Sequence, residues 1–235
     1  FARGSPGIRT FERLDLDGAV SSFCLDDDVA GVAGVVTGEA VYAVGVDGSR
    51  TRLSPSTGRT AEVDNAGRVW LGGKTGASVS HLANATGQRP VPVSLVSEAW
   101  NALVNNVWSL YVDDLDGVWI GTLGGLFRYT DASSVFASIR DPLSSQVVSG
   151  IYVDAGATWL GTLGGGVNRV SDRGVDVFRD TPLGDVVWSV TRDRSGTLWV
   201  GGDFGLAYFD SDGDTFQSIA LPRQSGGSVI NTIAD

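Results

Sequence analysis

Few residues of this 235-residue chain are equipped for proton or metal chemistry, since His81 is its only histidine and Cys24 its only cysteine. General acid-base catalysis needs a tuned group within hydrogen-bond reach of the proton it moves. The neighbours of His81 in Ser78-Val-Ser-His-Leu82 offer no orienting acid. Cys24 lies in an apolar run and reads as inert core, and alone it permits no internal disulfide. One His and one Cys leave no zinc site of the common kinds, and no cofactor is expected. Asp210-Ser-Asp212-Gly-Asp214 alternates carboxylates, yet a calcium loop of the EF-hand kind wants its Gly and Glu at positions this stretch does not fill. It reads as a solvated turn, as do Asp26-Asp-Asp28 and Asp113-Asp114. Gly124-Gly125 and Gly164-Gly165-Gly166 precede no helix, so they are not phosphate cradles. What remains is a set of aromatic rings beside isolated charges: Trp100, Trp108, Trp188 and Phe204 with Lys74 and Asp203. Such a set suits a saccharide, a peptide or another small molecule. Trp108 and Trp188 also suit packing between sheets.

The elements that must position these residues come from a repeat. Trp119, Trp159 and Trp199 are each followed by a Gly two residues later, at Gly121, Gly161 and Gly201, and by another six residues later, at Gly125, Gly165 and Gly205. Trp70, Gly72 and Gly76 form a fourth copy, and Val32, Gly34 and Gly38 a worn fifth. The anchors at 32, 70, 119, 159 and 199 recur about every 40 residues, the period of a solenoid, propeller or array. An Asp stands five or six residues before each anchor, at Asp26, Asp64, Asp113, Asp154 and Asp193, and the Asp-to-Gly spacing after it is hairpin-turn chemistry. Alternation and turn signals then predict four strands per unit, for example 107–112, 118–122, 126–129 and 135–139. Four short strands in such a period describe a propeller blade. The repeated Trp is expected to fill the space between adjacent sheets, and the Gly two residues on to let a neighbour approach closely.

Blades are expected over 19–54, 59–96, 107–139, 148–178 and 187–219, with lone strands at 7–14 and 228–235. The interval from Trp70 to Trp119 is longer than the others, and its excess falls in 97–106, where Ser97 can cap a helical turn and Trp100 lies. Five blades and a surplus strand predict an incomplete piece of a larger, seven-bladed propeller; the alternative is a smaller ring patched by pairing the two lone strands. Loops between blades and loops between second and third strands share one face of a propeller, which collects Lys74, Trp100, Asp203 and Phe204, with Trp108 and Trp188 at the start of their innermost strands.

The stretches Gly117-Val-Trp-Ile-Gly-Thr-Leu-Gly-Gly-Leu-Phe-Arg-Tyr129, Thr158-Trp-Leu-Gly-Thr-Leu-Gly-Gly-Gly-Val-Asn-Arg169 and Thr197-Leu-Trp-Val-Gly201 resemble the two-component regulator propeller repeat. That resemblance is specific over 107–235, fair over 59–83 and weak before. It implies the extracytoplasmic sensor region of a hybrid histidine kinase or diguanylate cyclase, a non-catalytic binding module in the periplasm or outside the cell, with a protein partner or a second copy docking through the propeller. Asp154-Ala-Gly156-Ala-Thr158-Trp159 also resembles the Asp box of sialidase-type propellers, and Ala40-Val-Tyr-Ala-Val44 the quinone-enzyme repeats, but neither pattern extends to the other units. A propeller glycosidase or lyase, or a protein scaffold, stays as the alternative.

Composition narrows the classes further. At 42% hydrophobic and 9% aromatic residues, with 33 Gly, the chain can bury a core and suits turn-dense β structure. A net charge of −10, with Lys74 the sole lysine, argues against a nucleic-acid partner. No apolar run reaches 18 residues, so no membrane contact is expected within this segment. The sequence contains no Met and reads as an excised or processed piece.

Overall fold

The computed structural model describes residues 20–26, 32–37, 41–45, 50–54, 58–64, 66–81, 91–93, 105–115, 117–130, 137–139, 143–154 and 156–220. Trp100, the expected turn after Ser97 and the lone strands at 7–14 and 228–235 lie outside them. The described residues form five antiparallel sheets of four strands each. The first holds β1 (Val20–Asp26), β2 (Val32–Thr37), β3 (Val41–Gly45) and β4 (Arg50–Ser54). The second holds β5 (Thr60–Val63), β6 (Arg68–Gly73), β7 (Gly76–His81) and β8 (Val91–Val93). In the third are β9 (Val107–Val112), β10 (Val118–Thr122), β11 (Gly125–Tyr129) and β12 (Ala137–Ile139). The fourth has β13 (Val148–Val153), β14 (Thr158–Thr162), β15 (Gly166–Ser171) and β16 (Gly174–Phe178). The fifth has β17 (Val187–Arg192), β18 (Leu198–Gly202), β19 (Gly205–Asp210) and β20 (Thr215–Ile219). Strands pair in chain order within each sheet, and the first strands of successive sheets, β1, β5, β9, β13 and β17, pack side by side. This is the all-β propeller architecture, with an open arc among the described residues.

The second strands of the third and fourth sheets are buried on both faces. Val118 to Thr122 and Thr158 to Thr162 are buried at every position, because a sheet in the middle of the arc has another sheet against each side. That is why these strands read as continuous apolar runs rather than alternating ones. Fourth strands lie at the rim, and β16 is largely exposed.

The tryptophans sit where the period predicts. Trp70 lies with Val107, Leu110, Ile120 and Phe127 of the third sheet, its ring 5.1 Å from that of Tyr129. Trp119 packs on Val148, Ile151 and Leu160 of the fourth. Trp159 meets Val187, Val190, Val200 and Phe216 of the fifth, with the Phe209 ring at 4.8 Å. Burying an indole removes about 150 to 250 Å² from water, roughly 4 to 6 kcal/mol before chain entropy is subtracted. Each indole is therefore the main apolar contribution of its sheet to the next. Trp199, on the last described sheet, is only half-buried and pairs with Tyr208 of its own sheet.

The Gly two residues after each Trp makes room for the neighbouring first strand. A Cβ on Gly161 would stand 2.7 Å from Val187 Cγ1, and one on Gly121 2.8 Å from the Val148 carbonyl oxygen. The Gly six residues on turns the chain: Gly76, Gly125 and Gly205 all have φ between 116° and 124°. Gly165 differs, because the turn in the fourth sheet is one residue longer and the positive φ falls on Gly164 and Gly166 instead. Thr122 and Thr162 tie these turns by donating their hydroxyls to the Gly125 and Gly166 carbonyls.

Candidate functional site

In the second to fifth units the Asp works through both its oxygens. Asp113 Oδ1 accepts from the Leu115 and Gly117 amides and closes the first hairpin turn, while Oδ2 accepts 2.8 Å bonds from Trp119 Nε1 and the Arg128 guanidinium. Asp64 does the same for Ala66, Arg68 and Trp70, and Asp193 for Ser195, Thr197 and Trp199. Burial raises the Asp113 carboxyl, but the donors from Arg128, Trp119, Gly117 and Leu115 outweigh it and hold the group below its ordinary value. Asp193, more open, is held down at about 2 by Ser195, Trp199 and Thr197. The fourth unit departs from this pattern. Asp154 lies one residue nearer its Trp, takes the Gly156 and Ala157 amides and an Arg192 bond from the fifth sheet, and leaves Trp159 Nε1 buried without an acceptor. These carboxylates are structural, and the arginines that meet them lie over the rings, as Arg128 does at 5.0 Å from Trp119.

A different set of side chains gathers at the start of the first strands. In the second sheet Thr60 pairs with Gly72; in the third, fourth and fifth, Ser109, Gly150 and Ser189 pair with Gly121, Gly161 and Gly201. The residue before each is therefore the same position in four consecutive sheets: Arg59, Trp108, Ser149 and Trp188. In the last three it is the extra residue of a β-bulge, the device that re-aims a side chain out of the ladder. Ser149 turns inward, donating to the Gly161 and Val187 carbonyls. Its smallness lets Trp108 and Trp188 meet across the fourth sheet, with ring centroids 6.0 Å apart and planes 33° from parallel. Trp188 Nε1 donates to Asp203 Oδ1 at 2.7 Å, which anchors that ring from the β18–β19 turn. At the other end the Arg59 guanidinium lies 4.0 Å from the centre of the Trp108 ring and donates to Asn106 Oδ1 at 3.0 Å. Burial pulls the Arg59 pKa below its ordinary value. Both indoles are half-buried, and Trp108 Nε1 has no acceptor.

The backbone shows which face this is. Segments leading into first strands bond the turns between second and third strands: Leu123 to the Asn106 carbonyl, Gly125 to that of Gln146, Gly164 to that of Asp185 and Asp203 to that of Val186. Interblade connections and second-to-third-strand turns thus share one face, and the cluster lies at its inner edge. Lys74 is exposed in the β6–β7 turn on that face, and Phe204 is 77% exposed beside Asp203. Of the residues singled out in the sequence, Trp108, Trp188 and Asp203 come together, while Lys74 and Phe204 stand exposed on the same face and Trp100 lies outside the described residues. The backbone of His81 pairs with that of Arg68 in the second sheet, away from the cluster. Arg59 and Asn106 were not among the candidates. The signal that could have found Arg59 is its spacing, since it stands as far ahead of Gly72 as Trp108 and Trp188 stand ahead of Gly121 and Gly201.

A second row of half-buried side chains lies farther along the same first strands. Glu62, Tyr111 and Tyr152 face the repeat tryptophans at equivalent positions, pairing with Trp70, Trp119 and Trp159. Burial pushes the Glu62 carboxyl up to about 8 and the Tyr111 phenol up to about 12. Tyr111 donates its hydroxyl to the Val153 carbonyl at 3.2 Å and stacks edge-on against Tyr152.

Comparison with known proteins agrees with the propeller fold. The two component regulator propeller model matches residues 181–204, the stretch that carries Trp188, the fifth Asp-to-Trp turn and Asp203, and bears out the resemblance seen in the repeats. The fold is similar to the extracellular domain of the putative hybrid two component system BT3049 from B. thetaiotaomicron, with TM-score 0.72 at 18% identity over 88% of this chain and 31% of that one. It is similar also to the extracellular domain of the putative one component system BT4673 from B. thetaiotaomicron, with TM-score 0.69 at 17% identity over 85% and 28%. Virginiamycin B lyase from Staphylococcus aureus has TM-score 0.71 at 12% identity over 89% and 72%. The chain therefore spans less than a third of the length of the two sensor-type chains. At these identities the likeness is one of fold. No curated protein matches the sequence. Among the described residues no helix is long and apolar enough to cross a membrane.

Proposed function

We propose that this propeller is the extracytoplasmic ligand-sensing part of a two-component-type signalling receptor, a non-catalytic module in the periplasm or outside the cell. The observation that carries the proposal is the meeting of Trp108 and Trp188 on two bulges at the inner edge of one face, with Asp203 fixing the second ring. Packing between sheets is already supplied by Trp70, Trp119 and Trp159, so this second pair is surplus to the core. Paired rings held by a hydrogen bond give a preorganised apolar platform, which lowers the ordering cost of binding a small molecule, saccharide or peptide. A ligand that bridges the third and fifth sheets would bias their relative position, and a partner or second copy docked on the propeller would read that bias.

The lyase neighbours support the alternative, a propeller enzyme, and one experiment separates the two. A panel of oligosaccharides and short peptides is screened for thermal stabilisation of the chain and of a Trp188→Ala, Asp203→Ala variant, and hits are checked for chemical change. A ligand held at about a hundred times its Kd stabilises by roughly 2.7 kcal/mol. The expected result is a melting shift lost in the variant, with the ligand recovered intact. An equal shift in the variant would move the site elsewhere, and a consumed ligand would make the protein an enzyme.

A further inference from the structure

Arg59 is the one member of the four-sheet row that carries a positive charge, and no described neighbour neutralises it. Among the described residues no carboxylate lies within ion-pair distance of it, in contrast to Arg68, Arg128, Arg169 and Arg192, each of which has an Asp partner. Its bonded partner is the neutral Asn106 side chain, and its flat face rests on Trp108. A guanidinium so placed keeps a planar fork of N–H donors for a planar acceptor, the geometry that matches a carboxylate. The stacked ring holds the fork in place, so little side-chain freedom remains to be lost on binding. Asp203 closes the opposite end of the row, and the chain as a whole carries a net charge of −10. Both disfavour a dianion and confine negative charge to the Arg59 end. A cationic ligand is disfavoured as well, because the Trp108 face that would receive it already carries the guanidinium.

Resting on the ligand-binding proposal above, we infer that the row is a monoanion site. It takes a small molecule bearing one carboxylate on a flat ring, with the carboxylate on the Arg59 guanidinium and the ring along Trp108 and Trp188. Asp203 serves as the positioning residue for Trp188 and sets the one-charge limit.

The test uses four probes with one ring and different charge: benzoate, benzamide, phenyl phosphate and benzylammonium. Each is titrated into the ¹⁵N-labelled chain while the indole N–H signals of its 7 tryptophans are followed, with those of Trp108 and Trp188 assigned from Phe variants. Benzoate is expected to move both signals and to bind about ten-fold tighter than benzamide, the ratio implied by a hydrogen-bonded charge. Phenyl phosphate and benzylammonium bind more weakly than benzoate. Arg59→Gln abolishes the difference between benzoate and benzamide, while Arg59→Lys, which keeps the charge and guards against a fold defect in the first variant, retains it. Asp203→Asn still accepts the indole bond and narrows the gap between benzoate and phenyl phosphate. Equal binding of benzamide and benzoate at these indoles, an anion preference that survives Arg59→Gln, or tighter binding of the phosphate or the ammonium overturns the monoanion site and leaves a ligand site standing. If no probe moves either signal, the monoanion site and the platform fall together.

Discussion

Asp113 illustrates how much one side chain can carry in this repeat. One oxygen closes a turn through two backbone amides and the other accepts from an indole and a guanidinium, all within a buried corner. Replacement by Ala leaves Trp119 Nε1 and Arg128 without their acceptor, and an orphaned buried donor costs about 1 to 3 kcal/mol. Asp113→Ala is therefore expected to destabilise by at least that amount, read as a fall in the urea midpoint at unchanged m-value. Asp154→Ala should cost less, because the Trp159 indole has no acceptor there to lose. The Asp-to-Trp spacing is plain in the sequence, and its turn chemistry follows from it. The indole bond was not anticipated, since a spacing of six residues permits many side-chain directions and only the folded hairpin selects the one that brings Oδ2 to Nε1.

At the scale of the element, strand positions followed the sequence closely. Strands expected at 107–112 and 118–122 stand there; the third begins one residue earlier, at Gly125, and the fourth is described over Ala137–Ile139. Gly161 shows why the repeat keeps glycine at that place in a strand. Its missing side chain is the space into which Val187 of the next sheet packs, so Gly161→Ala must push two sheets apart. Overpacking of this kind costs about 1 to 3 kcal/mol. Gly156→Ala, at an exposed turn where a Cβ meets nothing nearer than 3.8 Å, is expected to stay within about 0.5 kcal/mol. Comparing the two by chemical denaturation distinguishes close approach from a general intolerance of side chains. The bulges at Trp108, Ser149 and Trp188 had no counterpart in the sequence pattern. An extra residue in a ladder shifts the register without changing composition, and alternation in a strand of six residues is too short to betray it.

For the molecule as a whole, sheets that touch only their neighbours make stability a sum of sheet and interface terms. Trp159→Ala empties the interface between the fourth and fifth sheets, at a cost of about 3 to 5 kcal/mol. Native-state hydrogen exchange should then show amides of 187–219 losing protection first, while those of 107–139 keep theirs. A uniform loss across all sheets would show that the arc unfolds as one unit. The sequence by itself determined the period, the four-stranded unit, the turns and the identity of the glue between sheets, because each depends on residues close together in the chain. Only the tertiary structure decided what stands at the inner edge of the face. Arg59, Trp108, Trp188 and Asp203 come from three sheets, and their meeting depends on where the bulges fall and on Ser149 being small enough to leave the gap. Contacts of that kind are set by how sheets are arranged around an axis, which no local pattern of residues encodes.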